Sequence, residues 1–177
     1  MRALIASLLV LAALPAQAQT QAPGKEALAL GGRVAHVAQP QLERGLQAIV
    51  DSLATSYRTD QAKSGITVDE PSLEEVSRAE FNASLPLLWE GMAGAYAVTY
   101  SLDELKALDA YYRLHPGDST KLPPALAAKN LELQQHQQEL VARLGPRIRQ
   151  DFFGDFCSRT ACSDAIRRSA GLPVRGN

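Results

Sequence analysis

The sequence predicts an all-α protein, a bundle of five to six helices with one C-terminal disulfide and no sheet. Three observations carry this. Apolar residues recur every three or four positions in successive segments, which is the period of one helical face. No segment alternates apolar and polar residues over a useful length. Helix starts and stops are written as capping boxes, prolines and glycines. The helical domain is placed at 40–170, after a signal peptide at 1–18 and a flexible arm at 19–39, and before a frayed tail at 171–177.

The chain opens MRALIASLLVLAALPAQAQT. Arg2, an apolar run from Ala3 to Leu14, and Ala16-Gln17-Ala18 make an export signal with a cut expected before Gln19. An uncleaved N-terminal anchor is the alternative, but the apolar run is short for a membrane span. No cysteine follows the cut, so no lipid attachment point is present there. Removing 1–18 leaves 159 residues with 17 basic and 19 acidic side chains, a net charge of −2. That balance attracts neither phosphate backbones nor anionic lipid, so nucleic acid is not an expected partner. The expected location is the periplasm, with no membrane span in the mature chain.

Residues 19–39, rich in Gln, Ala and Gly, read as a mobile arm with at most one helical turn. Leu42, Leu46, Ile49, Val50, Leu53 and Tyr57 then share one face of a helix over about 40–58. After a polar loop, Ser72 and Glu75 form an apparent capping box. Leu73, Val76, Ala79 and Phe81 lead to Pro86, where a kink or break is predicted. Beyond it "LLWEGMAGAYAVTY" is apolar all round, the mark of a central helix, and Gly91 and Gly94 allow a neighbour to approach.

Ser101 and Glu104 form a second capping box, with Asp103 adding negative charge at the positive end of the helix. Leu105, Leu108, Tyr111 and Tyr112 make its buried side, and Asp109 and Arg113 its exposed pair. Pro116-Gly117 stops it. Pro123-Pro124 opens the next helix, with Leu126, Leu133, Leu140, Leu144 and Ile148 inward and a bend at Gly145-Pro146. A last short helix is expected over about 161–169. Cys157 and Cys162 are the only cysteines, and an exported chain meets an oxidising compartment, so a structural disulfide between them is predicted. A redox role is the alternative, but the spacing is C-x₄-C and not C-x-x-C.

The stretch "YSLDELKALDAYYRLHPG" (100–117) resembles the signature of a bacterial exported family, domain of unknown function 2059. Tyr100, Ser101, Glu104, Leu105, Lys106, Tyr111, Tyr112 and Gly117 occupy matching places. Leu114-His115 stands where that signature has Ser/Thr-Pro, and Pro116 comes one place late. The match covers about one tenth of the chain. The resemblance implies a helical fold and a periplasmic home, and no particular activity.

Several polar residues invite a chemical reading. Glu132, His136 and Glu139 share one helix face at metal-ligand spacing, but four glutamines surround them as on a solvated surface. Glu90 is the only charged residue between Leu85 and Tyr100. A carboxylate in apolar surroundings holds its proton more tightly, which is how general acids are made. The alternative places Glu90 near the Pro86 kink, in reach of water. Trp89, Tyr96, Tyr100, Tyr111 and Tyr112 suit either the edge of a core or a binding groove. His36 and His115 stand isolated, and Asn82-Ala83-Ser84 is a sequon without meaning on a helix of the bacterial protein that the resemblance implies. G-x-S-x-G, H-E-x-x-H, phosphate-loop and dinucleotide patterns are missing, so neither cofactor nor metal is expected.

The expectation is therefore an exported binding module of the cell envelope. Its site would be an apolar groove near Trp89, Glu90, Tyr100 and Tyr112, taking an unknown protein or a small apolar ligand. The alternatives are a periplasmic hydrolase using Glu90, and a purely structural envelope component.

Overall fold

A computed structural model describes residues 22–174. The expected export signal and the expected cut before Gln19 lie outside the described residues. Among those described there are six helices of six residues or more, one four-residue turn of helix, and no strand. They are α1 (Lys25–Ala38), α2 (Leu42–Lys63), α3 (Glu70–Thr99), α4 (Leu102–Leu114), the short α5 (Pro124–Ala127), α6 (Asn130–Arg159) and α7 (Asp164–Ser169). The predicted all-α bundle is what forms. No helix among the described residues is long and apolar enough to cross a membrane.

The centre of the bundle is α3, against which α1, α2 and α6 all pack. Its apolar stretch after Pro86 is the part the sequence marks as surrounded, and Leu88, Met92, Ala95 and Tyr96 are buried there. Both α3 and α6 run through their internal prolines, Pro86 and Pro146, without the break predicted at the first. Each proline removes one backbone hydrogen bond. Buried residues on both sides, Ser84 and Leu88 around Pro86 and Leu144 and Ile148 around Pro146, hold the flanking turns in place.

The largest departure is at the N-terminus. Instead of a mobile arm, 25–38 form a packed helix lying between α3 and α4. Leu30, Val34, Ala35 and Ala38 are buried, on one face at helical spacing. The stripe is made largely of small residues, and it works because the helices come very close. A Cβ on Gly31 would stand 2.6 Å from the carbonyl oxygen of Ala93. Without α1, the buried side of α4 would lose its main neighbour.

The other boundaries shift by local chemistry. The second helix continues past 58 to Lys63, because Gln61 is buried and anchored at its end. The third begins before Ser72. Asp69 is its N-cap, accepting from the Ser72 backbone N–H at 3.4 Å and from the Ser72 hydroxyl at 2.7 Å, and Pro71 sits in the first turn. The box at Ser101 forms as predicted: the Glu104 N–H donates to Ser101 Oγ at 3.3 Å and the Ser101 N–H to Glu104 Oε2 at 2.7 Å. The described part of the tail folds back: the Leu172 N–H donates to Arg167 O at 2.8 Å, and Leu172 packs on the core.

At the C-terminal end the predicted disulfide joins Cys157 and Cys162, whose Cα atoms are 5.3 Å apart. The backbone leaves the helix after Arg159, so the two cysteines are brought to one side. Closing so small a loop stabilises by about 2 kcal/mol through the unfolded state. The loop is also gripped from α2. Gln61 Nε2 donates to Ala161 O at 2.7 Å and to the Tyr57 hydroxyl, and the Tyr57 ring lies 4.2 Å, centroid to centroid, from that of Phe156.

Candidate functional site

The expected groove needs Trp89, Tyr100 and Tyr112 on one surface, and the fold separates them. Trp89 and Tyr100 lie eleven residues apart along α3, about 16 Å at 1.5 Å per residue. The Trp89 ring meets His36 of α1 at 3.8 Å, and its Nε1–H donates to Glu43 Oε1 of α2 at 3.3 Å. It therefore staples three helices together, and His36 is not isolated. Tyr100 and Tyr112 are buried in the core. They cannot line an open groove, because the packing of α4 and α5 over the end of α3 closes that region.

Tyr100 belongs to a polar cluster inside the bundle. Its hydroxyl donates to Leu126 O at 3.4 Å and lies 3.3 Å from Asn130 Oδ1. The Tyr96 ring stacks beside it at 6.0 Å, and the Tyr96 hydroxyl accepts from Gln39 Nε2 at 3.2 Å. Lys129 closes the cluster. Its Nζ sits 2.7 Å from Glu104 Oε2, 3.2 Å from Thr99 O and 5.7 Å from the Tyr100 ring centre. The ammonium group holds the Glu104 carboxyl below its ordinary value. Burial pushes the Tyr96 and Tyr112 hydroxyls upward and that of Tyr100 up to about 12. Sequence reasoning passed over Lys129, which no local pattern joins to Glu104, 25 residues away.

Glu90 is exposed, on the rim of a groove of about 580 Å³ between α1, α3 and α6. Leu28, Leu87, Gly94 and Val98 give it an apolar lining, and His136, Glu139, Arg143 and Arg147 stand on the α6 side. His136 is 3.6 Å from Glu139, and Arg147 is 3.5 Å from Asp151. Glu90 and Arg143 make no hydrogen bond or ion pair among the described residues. The apolar enclosure that would have made Glu90 an acid is not formed, and the hydrolase reading loses its premise. Among the described residues no three His, Cys, Asp or Glu side chains converge to hold a metal, Glu132, His136 and Glu139 included.

The buried carboxylate is Glu80, three turns earlier and only 9% exposed. It accepts from the Ser84 hydroxyl at 2.5 Å, and faces Arg147, Asp151 and Asp155 of α6. Burial raises its affinity for a proton, with the two aspartates adding to the effect. The raised value means that the charged form costs the native state stability above it. Stability is regained as the pH falls through that value toward the ordinary 4.5, where the unfolded chain also takes up its proton. Glu80→Gln should therefore melt higher than wild type at pH 7, and the gap should close as the pH is lowered through this window. An equal gap at both ends, read by thermal melts, would show that burial of this carboxylate does not set the difference.

A second groove, of about 450 Å³, opens on the other side of Leu140. Leu88 and Met92 of α3, Leu42 of α2, and Gln134, Gln137, Gln138 and Val141 of α6 line it. Sequence reasoning took these glutamines as a solvated face; their neighbourhood depends on where α3 lies. The chain matches no protein-family model, no curated protein and no solved structure.

Proposed function

We propose that the chain is an exported, periplasmic binding module of the cell envelope that acts without catalysing a reaction. The observation that carries this reading is the pair of open, apolar-lined grooves on either side of Leu140, both lined by α3 and α6. Concave apolar surfaces with a few polar groups at the rim are what ligand and peptide sites are made of. The export signal at 1–18 supports the location, as does the resemblance of 100–117 to domain of unknown function 2059. A disulfide that closes a buried corner of the fold suits an oxidising compartment.

Site-specific photocrosslinking in the producing cells tests the proposal. A photoreactive residue in place of Arg143 samples the first groove, and one in place of Val141 samples the second. Lys63, exposed at the end of α2, serves as the control. Discrete adducts from either groove position and none from Lys63 are expected. Adducts from none of the three, or the same set from all of them, would count against a binding role.

A further inference from the structure

Both α2 and α6 rest on α3, and they meet each other at Tyr57 and Phe156. The second groove is a seam between α3 and α6 that reaches α2 only at Leu42, and its chemistry differs from that of its neighbour. Every residue that lines it is apolar or a glutamine, and none carries a charge. The first groove has two glutamates, two arginines and a histidine on its walls. A charged ligand entering the seam would give up hydration with no counter-charge to replace it. The occupant that fits is uncharged.

The amides narrow it further. The side-chain nitrogen of Gln137 is buried and has no acceptor. A buried donor left unpaired destabilises the fold, and a ligand carbonyl would satisfy it after a small turn about the freely rotating terminal torsion. Gln134 and Gln138 flank it on α6. Each amide both donates and accepts, as a peptide bond does. From Gln134 to Val141 the helix rises about 10 Å, the length of roughly three residues of extended chain. A neutral acyl chain would cover Leu88 and Met92 but leave Gln137 unmet. Val141, 57% exposed, stands at the open edge of the groove.

We infer that this seam binds a short, uncharged, apolar stretch of extended polypeptide. The peptide's side chains lie on Leu88 and Met92, and one of its backbone carbonyls accepts from Gln137. The inference rests on the binding role proposed above and names the ligand class for one of the two grooves.

The test uses the purified full mature chain and N-phenyl-1-naphthylamine, an uncharged fluorophore that brightens in apolar sites. The competitors are acetyl-Leu-Val-Ala-Leu-amide, the same peptide with aspartate in place of valine, and octyl glucoside below its micellar concentration. The probe should bind, and the neutral peptide should displace it where the acidic one does not. Gln137→Leu should weaken the peptide roughly tenfold, the value of one hydrogen bond, while the apolar probe binds at least as tightly as before. Val141→Asp should lose both, with an unaltered helical spectrum because the side chain is exposed. Failure of the probe to bind, its retention by Val141→Asp, or equal peptide affinity with Gln137→Leu would overturn the assignment. Displacement by octyl glucoside but not by peptide would overturn it in favour of an acyl chain. Crosslinks from the Arg143 position that persist through any of these failures would leave the binding role standing and remove only this ligand.

Discussion

Replacing Gly31 with valine should lower the stability of the protein by about 3 kcal/mol, at the upper end of overpacking costs. For a chain of this size that corresponds to a fall in Tm of roughly 10 °C. The cause is geometric. The new Cβ would meet the Ala93 carbonyl oxygen at 2.6 Å and Tyr96 Cβ at 3.3 Å. The first of these is backbone inside the central helix and cannot swing aside. Either α1 moves outward, uncovering Leu30, Val34 and Ala35, or α3 distorts at its most enclosed turn. The adjacent Gly32 supplies the control. Its Cβ would lie 3.5 Å from Ala93 Cβ, an ordinary contact. Gly32→Ala should then stabilise by about 0.5–1 kcal/mol, because alanine loses less backbone freedom on entering a helix. Thermal melts of the two variants decide it. If Gly31→Val melts with the wild type, α1 is not held against α3 at this distance.

That contact also shows why the first helix was invisible in the sequence. Its inward stripe includes Gly31, Ala35 and Ala38, residues that announce no hydrophobic period by themselves. Their value lies in letting two backbones approach, and that depends on the small residues near 93, more than sixty positions away. The capping box at Ser101 was legible because all its partners lie within four residues. The inward leucines of α6 were legible because their spacing alone puts them on one face. The disulfide needed only the two cysteines and the oxidising compartment expected from reading 1–18 as an export signal.

The candidate site was less legible than the fold for the same reason. Whether Glu80 or Glu90 is the buried carboxylate depends on where α6 crosses α3, and nothing local to either residue says so. Trp89 and the tyrosines shared a segment rich in aromatics. A helix of that length carries its two ends to different neighbourhoods, and α4 and α5 cover only one of them. The second groove has no motif at all. It exists because α6, following an ordinary amphipathic pattern, lies along α3 and leaves Leu88 and Met92 beside Gln134, Gln137 and Gln138.

The tyrosine cluster at the covered end gives the fold a sharp alkaline limit. In the unfolded chain Tyr100 loses its proton near the ordinary value of 10.0, and in the native protein burial holds it back to about 12. The neutral ring is what the native state accommodates, so stability is fully present below pH 10. It is lost as the pH climbs from there through the native value. Two pH units amount to about 3 kcal/mol from this one hydroxyl. Tyr96 and Tyr112 are shifted in the same direction, chiefly by burial, so they add to the alkaline loss. The groups facing Tyr100 do little to prevent it. Glu104, Glu132 and Tyr112 all oppose a phenolate there, and the one nearby cation, Lys129, is committed to Glu104 at 2.7 Å. Urea unfolding followed by far-ultraviolet circular dichroism from pH 9 to 12 should show a midpoint that is flat at first and then falls steeply. Tyr100→Phe keeps the ring in the core and gives up only the long contacts of the hydroxyl with Leu126 O and Asn130 Oδ1, so its midpoint should fall less over the same range. Near-ultraviolet difference absorbance of the native wild type should show part of its tyrosine still protonated at pH 11. If all of it titrates near 10 while the helices remain folded, these rings are reached by water, and the end of α3 is not closed by α4 and α5.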